Sequence, residues 1–198
     1  MAATAEHTVE AHHTSTGLDN RKLAMWAFLG SECLLFGALI AAYLLYRTRG
    51  PGKHPYELYD IPFTSVSSFV LLMSSLTMVL ALNAIQRGLG RATRVWLFAT
   101  AMLGTVFISG QVYEFTTFVN EGMTMGTNAA ASAFYVLTGF HGTHVTLGIV
   151  MLLSLFGLSL AGRLPTERSL TVELCGLYWH FVDIIWIIIF TVVYLVPH

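Results

Sequence analysis

The stretch ASAFYVLTGFHGTHVTLGIVMLLSLFGL, residues 131–158, decides the fold class. It lies in an interval, from Glu121 to Arg163, with no Asp, Glu, Lys or Arg between its ends. A helix needs about 20 apolar residues to cross the ~30 Å hydrocarbon layer, so this segment spans it with turns to spare. Strict two-residue alternation is absent, which excludes a lumen-facing barrel strand. Working outward, four more segments have the same character. Residues 23–46 carry one charge, Glu32; residues 63–85 carry none; residues 95–118 carry Glu114; residues 174–196 carry Asp183. Backbone groups in lipid must be satisfied within each segment, so all five are helices. The connections, 47–62, 86–94, 119–130 and 161–173, leave no room for a soluble domain. Pro51, Gly52, Pro55 and Pro62 break the first, Gly88 and Gly90 the second, and Pro165 the fourth. The chain therefore reads as an all-α integral membrane bundle of five transmembrane helices: a polar N-terminal tail (1–21) followed by one membrane domain (22–198).

Composition agrees. Of 198 residues, 55 % are hydrophobic and 11 % charged, against about 25 % charged in soluble domains. The net charge of −1 and the lack of a basic stripe give no footprint for nucleic acid. Cys33 and Cys175 each sit in an apolar run and read as small buried apolar residues rather than a disulfide or zinc site. The tail, MAATAEHTVEAHHTSTGLDN, has no apolar stretch that could form a signal-peptide core. Its His7, His12 and His13 lack supporting ligands and read as part of a polar tail. Orientation follows from the cations. The N-terminus with the second and fourth loops holds Arg21, Lys22, Arg87, Arg91, Arg94, Arg163 and Arg168, seven of the ten Lys and Arg residues. Arg47, Arg49 and Lys53 lie on the other side, offset by Glu57 and Asp60. This places the N-terminus in the cytoplasm and the C-terminus outside.

Ionisable groups inside a span cost several kcal/mol and normally face protein, water or each other. Glu32 falls near mid-bilayer among Phe28, Leu29, Leu35 and Phe36, where burial favours the neutral acid. From the residues alone, a structural role in the bundle and a role in proton or lipid handling stand equal for it. Leu137, His141, His144 and Gly148 form a seam on one face of the fourth span; Gly176, His180, Asp183 and Ile187 repeat it on the fifth. Each seam has a glycine that admits a close neighbour. The plain expectation is interhelical hydrogen bonding, with a histidine of the fourth span meeting Asp183 or Glu32. Axial haem ligation by His141 or His144 with His180 is the sharper alternative. No open metal-ligand pattern appears. Glu114, near the end of the third span, reads as an interfacial hydrogen-bonding carboxylate. Nucleotide loops, nucleophile elbows, CxxC pairs and inverted repeats are absent, so the residues alone reach an integral membrane subunit and no reaction.

Three strings carry a resemblance: FYVLTGFHGTHVTLG (134–148), LYWHFVDIIWIIIFTVVYLV (177–196) and WAFLGSECLLFGALIAAYLLYR (26–47). They resemble subunit III of haem-copper oxidases in its five-span bacterial form, and GQVYEF (110–115) and LLMSSLTMVLAL (71–82) fit the same alignment. The resemblance covers roughly residues 20–197. It implies a chain with no catalytic residues, metal or redox cofactor of its own, the haem and copper lying in subunits I and II. It implies a bacterial inner-membrane complex that reduces dioxygen to water and pumps protons. In it subunit III flanks subunit I, holds structural phospholipids and supports sustained proton uptake. The family's buried carboxylate matches Glu32, and its histidine and aspartate motifs match His141, His144, His180 and Asp183. Many relatives have histidines at the end of the second span, where Leu82 and Asn83 stand here. The electron donor is expected to be cytochrome c, from TGFHG and YWHFVD. Quinol is the alternative, since VYEF, FTVVYL and the histidine-bearing tail also look like quinol-oxidase relatives. Two rivals of other classes are a small haem-binding membrane cytochrome and a proton or solute carrier built on Glu32 and Asp183.

Overall fold

The computed structural model describes residues 19–50 and 54–196; His7, His12, His13, Pro51, Gly52 and Lys53 lie outside them. Five helices run through the described residues: α1 (Asn20–Tyr46), α2 (Ile61–Gln86), α3 (Gly90–Asn120), α4 (Ala129–Leu160) and α5 (Ser169–Phe190). All are long and apolar enough to cross a membrane. Each extends past the apolar segment that announces it, because polar residues at a membrane surface complete helical turns at no desolvation cost. Thus α1 starts at Asn20, inside the segment expected as tail, with Asp19 capping the Arg21 N–H. Asp60 and Asn128 cap α2 and α4 in the same way. The helices α3 and α5 have no side-chain cap.

The ends of α2 and α4 are sharp. Gly88 and Gly162 adopt positive φ, and the next N–H in each case reaches back to the last turn: Leu89 to Ala84 and Arg163 to Leu158. These are glycine-terminated helix ends of the Schellman type. After Phe190 the α5 backbone widens into a π-helical turn, Thr191–Leu195, which turns Tyr194 inward.

Neighbouring helices pack α2 on α3 and α3 on α4, with α1 against α4. The fifth helix is the central column, touching α1, α2 and α4. Its Trp179 is fully buried and fits two notches. A Cβ at Gly104 of α3 or Gly148 of α4 would come within 2.6 or 2.7 Å of the indole ring. The indole N–H donates to Ser74 Oγ of α2 at 2.9 Å. One side chain thus ties three neighbouring helices to α5. One turn pair further along, Trp186 donates to Ser68 Oγ at 2.8 Å, so α2 and α5 run antiparallel.

Candidate functional site

Three polar clusters cross the bundle, and each joins helices that are distant in sequence. The first joins α1 to α4. His144 Nε2 lies 3.2 Å from Glu32 Oε2, both side chains about one-seventh exposed at 13 % and 15 %. His144 Nδ1 is 2.8 Å from the Phe140 carbonyl, and a carbonyl can only accept, so Nδ1 carries a proton. The opposite nitrogen faces the Glu32 carboxyl at ion-pair distance, without a well-directed hydrogen bond to Oε2 among the described residues. The Glu32 side chain is thus largely buried, while the adjacent Cys33 is exposed. The expectation that both cysteines are buried holds for Cys175 alone, because α1 turns most of its apolar face outward.

The second cluster joins α5 to α2. The Ser75 hydroxyl donates to Asp183 Oδ2 and lies 2.9 Å from His180 Nδ1, so it can accept from that nitrogen while donating to the carboxylate. Asp183 is 2 % exposed, and its Oδ1 has no hydrogen-bond partner among the described residues. The third cluster closes the other end. Tyr194 Oη lies 3.0 Å from both oxygens of Glu114, and Thr64 Oγ1 donates to Oε1 at 3.2 Å. Glu114 is buried at 7 % and not at a wet interface as its sequence position suggests. The π-turn after α5 supplies the phenol that satisfies it.

His141 departs from the expected interhelical hydrogen bond. It is fully buried, and neither ring nitrogen has a hydrogen-bond partner among the described residues. Its ring stacks on Trp186 at 4.9 Å with Phe107 and Phe36 edge-on. An aromatic box offers packing, not a partner. The face of α4 that carries both histidines turns one to α1 and the other into this box. The α5 seam similarly ends outside, Ile187 being exposed.

The partners Ser75, Ser74, Ser68, Thr64 and Tyr194 were missing from the sequence expectation. A signal existed: Ser68 and Ser75 stand seven apart in α2, two helical turns on one face, inside a span with no ionisable group. A hydroxyl in a membrane helix bonds its own backbone at little cost, so it shows no hydropathy signature.

His144 is paired with Glu32, His180 with Ser75, and His141 is enclosed by three aromatic rings. Among the described residues no group of three His, Cys, Asp or Glu side chains could hold a metal ion.

The sequence model of the family described as cytochrome c oxidase subunit III matches residues 2–197. Quinol oxidase subunit 3 of Bacillus subtilis (strain 168) is 39 % identical over 87 % of this chain and 85 % of its own. Cytochrome c oxidase subunit 3 of Bacillus sp. (strain PS3) is 38 % identical over 89 % and 86 %. The protein of the same name from Thermostichus vulcanus is 38 % identical over 95 % and 96 %.

Proposed function

The chain belongs to the cytochrome c oxidase subunit III family, and from that membership we propose that it is a supporting subunit which itself carries no redox centre. It is subunit III of a haem-copper oxidase, an oxidoreductase complex, and a multi-pass protein of the bacterial plasma membrane. Its proposed work is to flank subunit I, beside subunit II, to hold phospholipid between its helices, and to sustain proton uptake while its partners reduce dioxygen to water and pump protons. We propose that the N-terminus lies in the cytoplasm, which the arginine distribution supports.

One observation carries the proposal. All the ionisable groups of the spans except His141 are engaged between helices: Glu32 with His144, Asp183 and His180 with Ser75, and Glu114 with Tyr194 and Thr64. Groups used this way stiffen a bundle. The Glu32–His144 contact places two ionisable groups side by side within the span, which suits proton handling next to a partner. The test is Asp183→Asn and His144→Ala in the intact oxidase, following initial oxygen consumption and its decay over many turnovers. Normal initial rates with faster decay are expected. Immediate loss of activity in a fully assembled complex with its haems in place refutes the supporting role.

For the donor we propose cytochrome c, on the TGFHG and YWHFVD strings. The relatives include both donor classes at nearly equal identity, 39 % and 38 %. Reduced cytochrome c against reduced quinol, offered to the purified complex, decides it.

A further inference from the structure

Glu114 differs from the other carboxyls of the spans in having hydroxyl groups enough to satisfy either of its charge states. It is buried near the end of α3, and no Lys, Arg or His is among its partners. The Tyr194 hydroxyl lies 3.0 Å from both of its oxygens. The Thr64 hydroxyl has one hydrogen and two acceptors, the Asp60 carbonyl at 2.9 Å and Glu114 Oε1 at 3.2 Å. With the acid protonated, Glu114 donates to Thr64 Oγ1, Thr64 donates to the Asp60 carbonyl, and Tyr194 donates to the other carboxyl oxygen. With the acid ionised, Thr64 turns its hydrogen to Oε1, so that both hydroxyls donate to the carboxylate. That turn does not orphan the Asp60 carbonyl, which also accepts from the Thr64 backbone N–H at 3.0 Å. Every member of the cluster is therefore paired in both states. Glu32 Oε2 and Asp183 Oδ1, by contrast, have no hydrogen-bond partner among the described residues.

The backbone is shaped to build this cluster. A π-helical turn is rare and falls mostly at functional sites, and the turn Thr191–Leu195 is what brings Tyr194 over Glu114. Tyr59 packs its ring 4.4 Å from that of Tyr194 and bonds Tyr43 at 3.1 Å, which holds the phenol in place. A purely packing role requires none of this, since a carboxyl buried without a cation is costlier than an apolar side chain of the same shape. The titratable groups that face Glu114 are Tyr194 after α5, Tyr59 and Asp60 before α2, and Tyr135 on α4. Beyond them Arg47 acts on Tyr43 at the end of α1. Between α2 and α3 a cavity of about 10 Å³, lined by Thr64, Ser67, Gly110 and Glu114 among others, adjoins the carboxyl. That size admits about one water.

We propose that Glu114 is a proton-exchange site, which holds a proton and gives it up to water in the α2–α3 cavity while the Thr64 hydroxyl turns to stabilise the carboxylate. Release breaks the Glu114 O–H bond and passes the proton to water. The charge left behind is held by the hydroxyl hydrogens of Tyr194 and Thr64, and uptake reverses each step. Because the turn takes the Thr64 hydroxyl away from the Asp60 carbonyl, the proton state is coupled to the first turn of α2. The site rests on the geometry of this cluster and not on the supporting role proposed above, so either can fail alone.

The experiment is infrared difference spectroscopy of the intact oxidase in bilayer discs, titrated in H2O and in D2O, following the C=O stretch of protonated carboxylic acids. A titrating band that shifts in D2O is expected, lost in Glu114→Gln and kept in Glu32→Gln and Asp183→Asn. Thr64→Val removes a donor to the carboxylate, so the band should persist about one pH unit further toward alkali, the worth of a hydrogen bond to a charged group. Tyr194→Phe should act in the same direction. Thr64→Ser, which keeps the hydroxyl, should match the unaltered protein. A carboxyl that only packs would give no titrating band that follows these changes. The proposal is overturned if no Glu114 band titrates over the pH range in which the complex stays assembled, or if Thr64→Val titrates like the unaltered protein. Should Glu114→Gln fail to assemble, the comparison of Thr64→Val with Thr64→Ser decides.

Discussion

The first and fifth helices are equally apolar, yet they live in different surroundings. In the most apolar part of α1, 17 % of residues are buried within the chain; in that of the α5 span, 56 % are. Lipid and protein interior are nearly equivalent solvents for leucine, so hydropathy cannot distinguish them. Small residues and placed polar groups draw α5 inward. Gly104 and Gly148 open notches for Trp179, while serines of α2 answer Trp179, Trp186 and Asp183. On α1, by contrast, nothing lies within 4 Å of a Cβ built at Gly30 or Gly37, and Trp26 is 59 % exposed. Its polar ties to the rest of the chain include the contact of Glu32 with His144 and the bond of Tyr43 Oη with Tyr59 Oη.

The sharpest way to break this contrast is to delete the two tryptophans. Trp179→Ala should destabilise the chain by about 3–5 kcal/mol, the range for large-to-small changes in a core. Trp26→Ala should stay within about 0.5 kcal/mol in the purified single chain. Unfolding midpoints in mild detergent measure both. A large Trp26 cost that arises only in the assembled oxidase would identify the open face of α1 as a partner contact.

Next in size are the glycines. Gly104→Ala or Gly148→Ala forces the Trp179 ring, held at its nitrogen by Ser74, to shift, and overpacking of this kind costs about 1–3 kcal/mol. Gly30→Ala and Gly37→Ala should be neutral or slightly stabilising through helix propensity. The same detergent unfolding reports the difference. A penalty at Gly37 equal to that at Gly148 would mean that α1 is as enclosed as α5.

Polar ties come third. Losing one membrane hydrogen bond averages about 0.6 kcal/mol, with a maximum near 1.7. Glu32→Ala should cost within that range, while Glu32→Gln should be milder, because an amide N–H can still donate to His144 Nε2. Equal, severe loss of proton pumping in both variants would show that ionisation of Glu32 matters more than its hydrogen bond.

The smallest effect is expected at Lys22 and Glu173, which join α1 to α5 at their exposed ends, with side chains 34 % and 32 % exposed. Lys22→Met should cost no more than about 1 kcal/mol, and the loss should shrink as salt is added. A double-mutant cycle with Glu173→Gln at low and high ionic strength checks it.

The sequence by itself determined the five spans, the order of the loops and the family, because each rests on local information. A run without charge long enough to cross lipid has one stable backbone, and motif strings keep their spacing whatever surrounds them. It also marked Glu32, His144, His180 and Asp183 as residues with a partner to find. Which partner each has was decided by the tertiary structure alone. His141 and His144 are three residues apart on one helix, yet one meets a carboxylate and the other an aromatic box. Glu114 looked interfacial until the π-helical turn carried Tyr194 back over it. Cys33 and Cys175 sit in equally apolar runs and differ in exposure because α1 lies at the edge and α5 at the centre. The physical reason is the same each time. In a membrane the solvent does not distinguish inside from outside for apolar side chains, so burial and pairing follow from how helices fit together, which no single segment records.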